Sequence, residues 1–332
     1  MTTSTRAGRR EWVGLAVLAL PTLLVSLDVF VLVLALPKLA VSLHADGTEQ
    51  LWIMDTYGFM VAGFMVTMGT LGDRIGRRKL LLVGATAFGL ASVAAAFSTS
   101  AAMLIAARAV LGIAGATLAP SILALIGTMF TDARQRASAI GIWAGCFTVG
   151  AIIGPMVGGF LLEHFWWGSV FLLGVPAMVL LLVIGPKLLP EYRDETAGRL
   201  DLPSVGLSLA AILPAVYGVK ELARDGVHPL PVTALVAGIA VGYVFVKRQR
   251  TLDEPLLDLR LFAGKAFRTA LGGMLLFSML GGTTMLFVAQ FFQLSLHLSP
   301  VGAALGLLPG MALPPSASSP LPCWPGGSRP AR

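Results

Sequence analysis

TLLVSLDVFVLVLALP, residues 22–37, is an apolar run interrupted by one carboxylic acid, Asp28. Extended outward, residues 13–36 contain 16 Leu, Ile, Val or Phe. Each favours membrane insertion by ~0.3 to 0.6 kcal/mol, against the ~2.5 to 3.5 kcal/mol that an acid costs at a helix centre. The segment therefore inserts with its acid inside, and an ionisable group held in hydrocarbon is a functional candidate by default. The rest of the chain repeats this apolar character. Of 332 residues, 56% are hydrophobic and 12% charged, with mean hydropathy +0.83, about half the charge of a soluble protein.

A stretch of ~20 apolar residues crosses a ~30 Å hydrocarbon core. Nine such stretches follow in series, at residues 13–36, 51–71, 80–98, 101–127, 137–162, 168–186, 202–219, 229–246 and 269–292. A tenth starts near Val301 and loses its character at Pro314. Backbone polar groups in hydrocarbon must be satisfied within their own segment and no β-type alternation is visible, so the fold class is all-α integral membrane. Arg6, Arg9 and Arg10 precede the first span like the n-region of a signal peptide, but that run is too long and lacks a small-x-small cleavage site.

The net charge of +7 is unevenly placed. With the N-terminus in the cytoplasm, 18 Lys and Arg fall on inside segments and 3 outside, namely Lys38, Lys220 and Arg224. The positive-inside rule accounts for that bias, so no nucleic-acid partner is called for. Trp12, Trp52, Trp166 and Trp167 sit at span ends, as interfacial tryptophans do. Cys146 and Cys323 offer neither a disulfide framework nor metal spacing, and no cofactor or metal is expected.

Residues 1–186 read as a six-span bundle, 187–201 as a charged cytoplasmic linker, 202–246 as a two-span hairpin and 247–268 as a basic cytoplasmic loop. Residues 269–313 begin a second bundle. The composition then changes abruptly: LPPSASSPLPCWPGGSRPAR, residues 313–332, holds 6 of the 20 prolines, a spacing no helix survives. Residues 314–332 read as out-of-frame translation of a GC-rich gene rather than a native disordered tail. On that reading the second bundle is incomplete, and the chain as written is expected to transport nothing.

Two further intramembrane charges accompany Asp28. Asp55, in LWIMDTYGF, lies near the outer end of the second span; at ~1.5 Å per residue Asp28 sits ~13 Å deep and Asp55 ~7 Å deep. Both are expected in the outer half, lining one cavity, although an acid near a helix N-terminus is also favoured by the dipole alone. Arg108, in MLIAARAVLGIAGA (103–116), is basic and well inside a span, so a carboxylate from a neighbouring helix is its natural partner. Tyr57, Phe59, Trp143 and Phe147 are aromatic groups suited to a lipophilic cation, and equally to packing or lipid.

Two strings are more specific. GTLGDRIGRRKLL (69–81) is a glycine-punctuated, basic cytoplasmic turn. It resembles the loop signature of the major facilitator superfamily, with Gly69, Asp73, Arg74, Gly76, Arg77 and Arg78 in place. GAIIGPMVGG (150–159) sets Gly150, Gly154 and Gly158 on one helix face, followed by Gly159, with Pro155 as a kink point. It is similar to the fifth-span motif of facilitator antiporters, generally absent from symporters. LDVFVLVLALP (27–37), WIMDTY (52–57) and FWWGSVFLLGVP (165–176) narrow the resemblance to EmrB/QacA-type 14-helix drug:proton antiporters, closest to the quaternary ammonium efflux branch, over residues 12–313.

That resemblance implies a major facilitator fold with the first six-helix bundle complete, two extra helices in the hairpin and the second bundle incomplete. It assigns Asp28, Asp55 and Arg108 to proton and cation coupling, and Asp73 with the loop arginines to a latch between bundles. Its partners are protons, lipophilic or quaternary ammonium cations and the lipid bilayer. The location implied is the cytoplasmic (inner) membrane of a bacterium, with the N-terminus inside. The protein is then a transporter, not an enzyme. Three other readings stand beside it: a non-functional remnant or passive membrane protein, a proton-coupled nutrient symporter, and an intramembrane aspartyl protease, whose GxGD is approached only by TLGD in a cytoplasmic loop. Leu111 stands where the fourth-span motif usually has Gln, and residues 269–313 hold no Asp or Glu.

Overall fold

The computed structural model describes residues 7–193, 201–252, 255–257, 259–296, 298 and 306. It is helical throughout, with no strand among the described residues. The helices are α1 (Arg9–Leu43), α2 (Gly47–Ile75), α3 (Arg77–Ala96), α4 (Ala101–Met129), α5 (Ala133–His164), α6 (Ser169–Leu172), α7 (Gly174–Leu188), α8 (Leu202–Asp225), α9 (Pro229–Gln249) and α10 (Lys265–Gln290). The first eight expected spans correspond to eight segments long and apolar enough to cross a membrane. The sixth of these is made of two pieces, α6 and α7, parted at Leu173. The ninth expected span is α10, which continues as a π-helical turn, Phe291–Ser295. The expected tenth span lies, apart from Gly306, outside the described residues, as does the whole 314–332 tail.

Local chemistry sets the helix starts. Asp46 accepts from the Glu49 amide at 2.7 Å while Glu49 accepts from the Asp46 amide at 3.0 Å, a reciprocal cap that opens α2. Ser100 caps α4 through the Met103 amide, and Asp132 caps α5 through the Arg134 and Gln135 amides. Between α2 and α3 the chain turns at Gly76 with φ +109°, where a side chain would also strike the Glu191 carboxylate.

The chain divides into two units, Met1–Gly272 and Gly273–Arg332. In the first, α1 packs on α5 and α7, α2 on α4, and α3 on α4 and α7. Its outward faces expose Val83, Leu90, Val110 and Val183, a surface that suits hydrocarbon. The second unit holds the remainder of α10, from Gly273. From Gly273 to Gln290 it carries no charged residue, as suits a membrane span.

Helices α8 and α9 form the expected hairpin. A Cβ on Gly218 would lie 2.7 Å from the Pro231 carbonyl oxygen, and one on Gly238 2.7 Å from the Ala215 amide nitrogen, so the backbones touch where side chains are missing. The hairpin docks on the bundle through α8, Leu209 and Leu213 covering Gly63 of α2. At the N-terminus of α8 Asp201 clamps the two helices together, accepting from Arg248 Nε and Nη2 at 3.0 Å each and from Ser204 Oγ at 2.5 Å. The hydrogen bond from Arg248 holds the Asp201 carboxyl below the usual carboxylate range. A depressed folded-state value stabilises above the unfolded value of ~3.9, and that contribution is lost as pH falls through the folded value. Asp201→Asn should therefore lower the melting temperature of the purified protein at pH 7 and make no difference once both forms are well below pH ~3.9. Equal melting at pH 7 would remove the clamp.

Candidate functional site

Arg108 is the largest fully buried side chain among the described residues, 1% exposed. Its place on α4 puts it against both α1 and α2. Nη1 donates to Asp28 Oδ2 at 2.6 Å, Nε donates to the Ile53 carbonyl oxygen at 3.2 Å, and the guanidinium lies 4.8 Å from the centroid of the Tyr57 ring. One cation thus ties three helices together, and the acid of the first span is its ionic partner. A buried ion pair is stable only with good geometry and further hydrogen bonds for the remaining donors; the Ile53 carbonyl and the ring face supply part of that.

The helix–helix approach is made possible by small residues. A Cβ on Gly112 would lie 2.5 Å from the Tyr57 carbonyl oxygen, and one on Gly115 2.9 Å from the Tyr57 hydroxyl. These glycines seat Tyr57 against α4. Leu111, which replaces the expected Gln, is fully buried.

Asp55 does not join this site. Ile53 faces α4, and two residues further along an α-helix is ~200° around it. Asp55 accordingly points to the hairpin, where it forms an ion pair with Lys220 of α8. Its side chain is 29% exposed, against 12% for Asp28. The same rotation separates the α2 aromatics: Tyr57 carries Arg108 on its face, and Phe59 carries Lys220, 5.0 Å from its centroid. Lys220 was visible in the sequence as one of three outside cations, but its partner was not assigned there.

The glycine motif of α5 meets α1. A Cβ on Gly150 would lie 2.6 Å from the Leu23 carbonyl oxygen, on Gly154 3.2 Å from Phe30 Cβ, and on Gly158 2.6 Å from Val31 Cγ1. Gly159 has nothing within 4 Å. Ser26 Oγ donates to the Phe147 carbonyl oxygen at 2.6 Å across the same seam. Asp28, ~200° from Ser26, is thereby turned away from α5. Pro155 is in α5, with its side chain outside the described residues.

In the 69–81 turn the charged residues brace the first unit. Arg77 Nε donates to Asp73 Oδ1 at 2.8 Å. Arg78 donates to Glu191 Oε2 at 3.3 Å and to the Pro186 and Leu189 carbonyls at 3.1 and 3.0 Å, closing the C-terminal end of α7. Glu191 was not singled out in the sequence. A Cβ on Gly69 would make only ordinary contact with Pro120. Nε and Nη1 of Arg74, and Nη1 of Arg77, are buried without a partner among the described residues.

The Major Facilitator Superfamily matches residues 18–320. Among curated relatives, the multidrug efflux pump LfrA of Mycolicibacterium smegmatis is 48% identical over 92% of this chain and 61% of its own. The methyl viologen resistance protein SmvA of Salmonella typhimurium is 40% identical over 91% and 61%. The puromycin resistance protein of Streptomyces alboniger is 33% identical over 90% and 60%. The chain thus spans about three fifths of the length of these relatives. Among solved structures, a peptide transporter POT in complex with sulfate superposes with TM-score 0.58 at 19% identity, over 90% of this chain and 67% of that one, which is a likeness of fold.

Proposed function

The chain belongs to the Major Facilitator Superfamily, and from that premise we propose that, with a complete second bundle, it exports lipophilic or quaternary ammonium cations across the cytoplasmic membrane of a bacterium, in exchange for protons, with its N-terminus inside, and that the 332 residues alone transport nothing. The observation that carries this reading is the Asp28–Arg108 pair, 2.6 Å long and buried where α1, α2 and α4 meet. A proton or an organic cation arriving at Asp28 takes the carboxylate from Arg108. The guanidinium is then left with the Ile53 carbonyl and the Tyr57 face. One carboxylate holds either guest and not both, which is the minimum an exchanger needs. Each exchange also changes how α1 is tied to α4. Two bundles rocking about a midplane site would present that carboxylate to the two sides in turn.

Other observations support parts of the reading. The relatives named for multidrug efflux and methyl viologen resistance support the substrate class. The close α1–α5 seam at Gly150, Gly154 and Gly158 agrees with the antiporter motif. With Arg77 and Arg78 engaged inside the first unit, the Arg74 nitrogens that are buried without a partner among the described residues are candidates for the latch.

Acidified inverted membrane vesicles test the exchange. Adding a quaternary ammonium cation should dissipate the preformed pH gradient in vesicles containing the protein with a complete second bundle, and leave it intact in vesicles without protein or with the 332 residues alone. A neutral lipophilic compound should have no effect in any of them. A gradient indifferent to the cation would overturn proton exchange.

A further inference from the structure

Helices α2 and α8 together build an aromatic corner closed by an ion pair. From α2, Trp52, Asp55 and Phe59 fall at i, i+3 and i+7 and share one face; from α8, Tyr217, Lys220, Glu221 and Arg224 do the same. Trp52 stacks on Tyr217 with centroids 6.2 Å apart and planes 16° off parallel, and meets Phe59 edge-on at 6.1 Å. Into this aromatic corner Lys220 extends its ammonium, onto the Asp55 carboxylate and over the Phe59 ring. The remaining charges are balanced, with Arg224 Nη1 3.7 Å from Glu221 Oε1. With Lys220 in place the space left is about 20 Å³, room for one water.

A carboxylate beside aromatic faces is the chemistry that recognises quaternary and other organic cations. Here it holds a cation supplied by the protein itself. We propose that the α2–α8 corner is a peripheral binding site for monovalent lipophilic organic cations, separate from Asp28, and that the Lys220 ammonium is its intramolecular occupant, displaced when a ligand arrives. Only the ligand class rests on the exporter reading. The site explains why the hairpin docks on α2 in the register it does. Gly63 admits Leu209 and Leu213, and one to two turns further along α8, at Tyr217 and Lys220, the same contact line reaches the aromatic corner. Lys220 is 43% exposed, so it can leave its seat without opening the core.

The test is equilibrium binding of tetraphenylphosphonium to the purified full chain in lipid nanodiscs. Lys220→Met should tighten binding about tenfold, the worth of one freed cation–π and carboxylate contact, whereas Lys220→Arg, which keeps a cation there, should not. The gain should disappear in Lys220→Met/Asp55→Asn and in Lys220→Met/Trp52→Leu. It should persist in Lys220→Met/Asp28→Asn, which separates this site from the central one. The neutral triphenylphosphine oxide should show no gain in any variant. Unchanged affinity in a monodisperse Lys220→Met protein, or a gain that survives Asp55→Asn, would overturn the proposal. Loss of the gain on Asp28→Asn would overturn it too, by placing the ligand at the central site. Failure of proton exchange in vesicles would leave these binding results unaffected.

Discussion

In the protein with a complete second bundle, Asp28→Asn is expected to reduce proton-driven export of a cationic dye to the background of membranes lacking the protein while leaving the fold intact, and Arg108→Ala is expected to fail earlier, at folding. The two differ because of what each leaves buried. Asparagine keeps an oxygen where Arg108 Nη1 now donates at 2.6 Å, so the α1–α4 tie survives as a neutral hydrogen bond, but the group that binds a proton or cation is gone. Alanine at 108 removes a fully buried guanidinium side chain and strands the Asp28 carboxylate. It also withdraws the donor to Ile53 and the cation on Tyr57. Breaking a buried pair from one side costs about 3–5 kcal/mol. Replacing both members with apolar residues, Asp28→Leu with Arg108→Met, should recover most of that stability, since well-packed hydrophobic substitutes for a buried pair are often neutral, and should restore no export. Dye efflux from inverted vesicles and thermal unfolding in detergent measure the two quantities separately. Normal export by Asp28→Asn, or normal stability of Arg108→Ala, would remove the pair from the mechanism.

The residues behind that prediction were unevenly legible in the sequence. Asp28 was legible because one acid among 16 large apolar residues has an identifiable energetic cost. For Arg108 the kind of partner followed from the same logic, but its identity did not. Helical periodicity gives each residue an angle about its own axis and says nothing about which helix stands opposite. The grouping of Asp55 with Asp28 shows this limit. Both acids were placed by depth, a coordinate along the axis. The angle decides instead: Ile53 addresses α4, and Asp55, ~200° round, addresses a hairpin docked through Gly63, Leu209 and Leu213. That contact joins residues about 150 positions apart and has no local signature. The spans themselves were read almost as they stand, since backbone satisfaction in hydrocarbon leaves few alternatives. The break at Leu173 was not foreseen.

The glycine motif of α5 gives the second large effect, and a control within itself. Gly150→Ala is expected to destabilise the protein by about 1–3 kcal/mol, the range for overpacking a close contact, and to impair export. Gly159→Ala is expected to be neutral or stabilising by up to about 1 kcal/mol, the helix-propensity gain of alanine over glycine. Sequence places both in one motif; the packing separates them. The first atom a Cβ on Gly150 would meet is the Leu23 carbonyl oxygen, 2.6 Å away, with Ser26 Cβ at 2.7 Å. A backbone atom cannot change rotamer, so α1 and α5 must move apart, and the 2.6 Å bond from Ser26 to Phe147 goes with them. Asp28 is two residues beyond Ser26 on α1, so the same displacement shifts the acid relative to Arg108, which is why export should fall together with stability. A Cβ on Gly159 meets nothing within 4 Å. Gly158→Ala should fall between the two, because the obstacle there is the Val31 side chain at 2.6 Å rather than backbone, and a β-branched residue yields only in part. Thermal unfolding of the three variants in one detergent ranks them directly. Equal shifts for Gly150→Ala and Gly159→Ala would mean that the α1–α5 seam is not the contact that makes these glycines necessary.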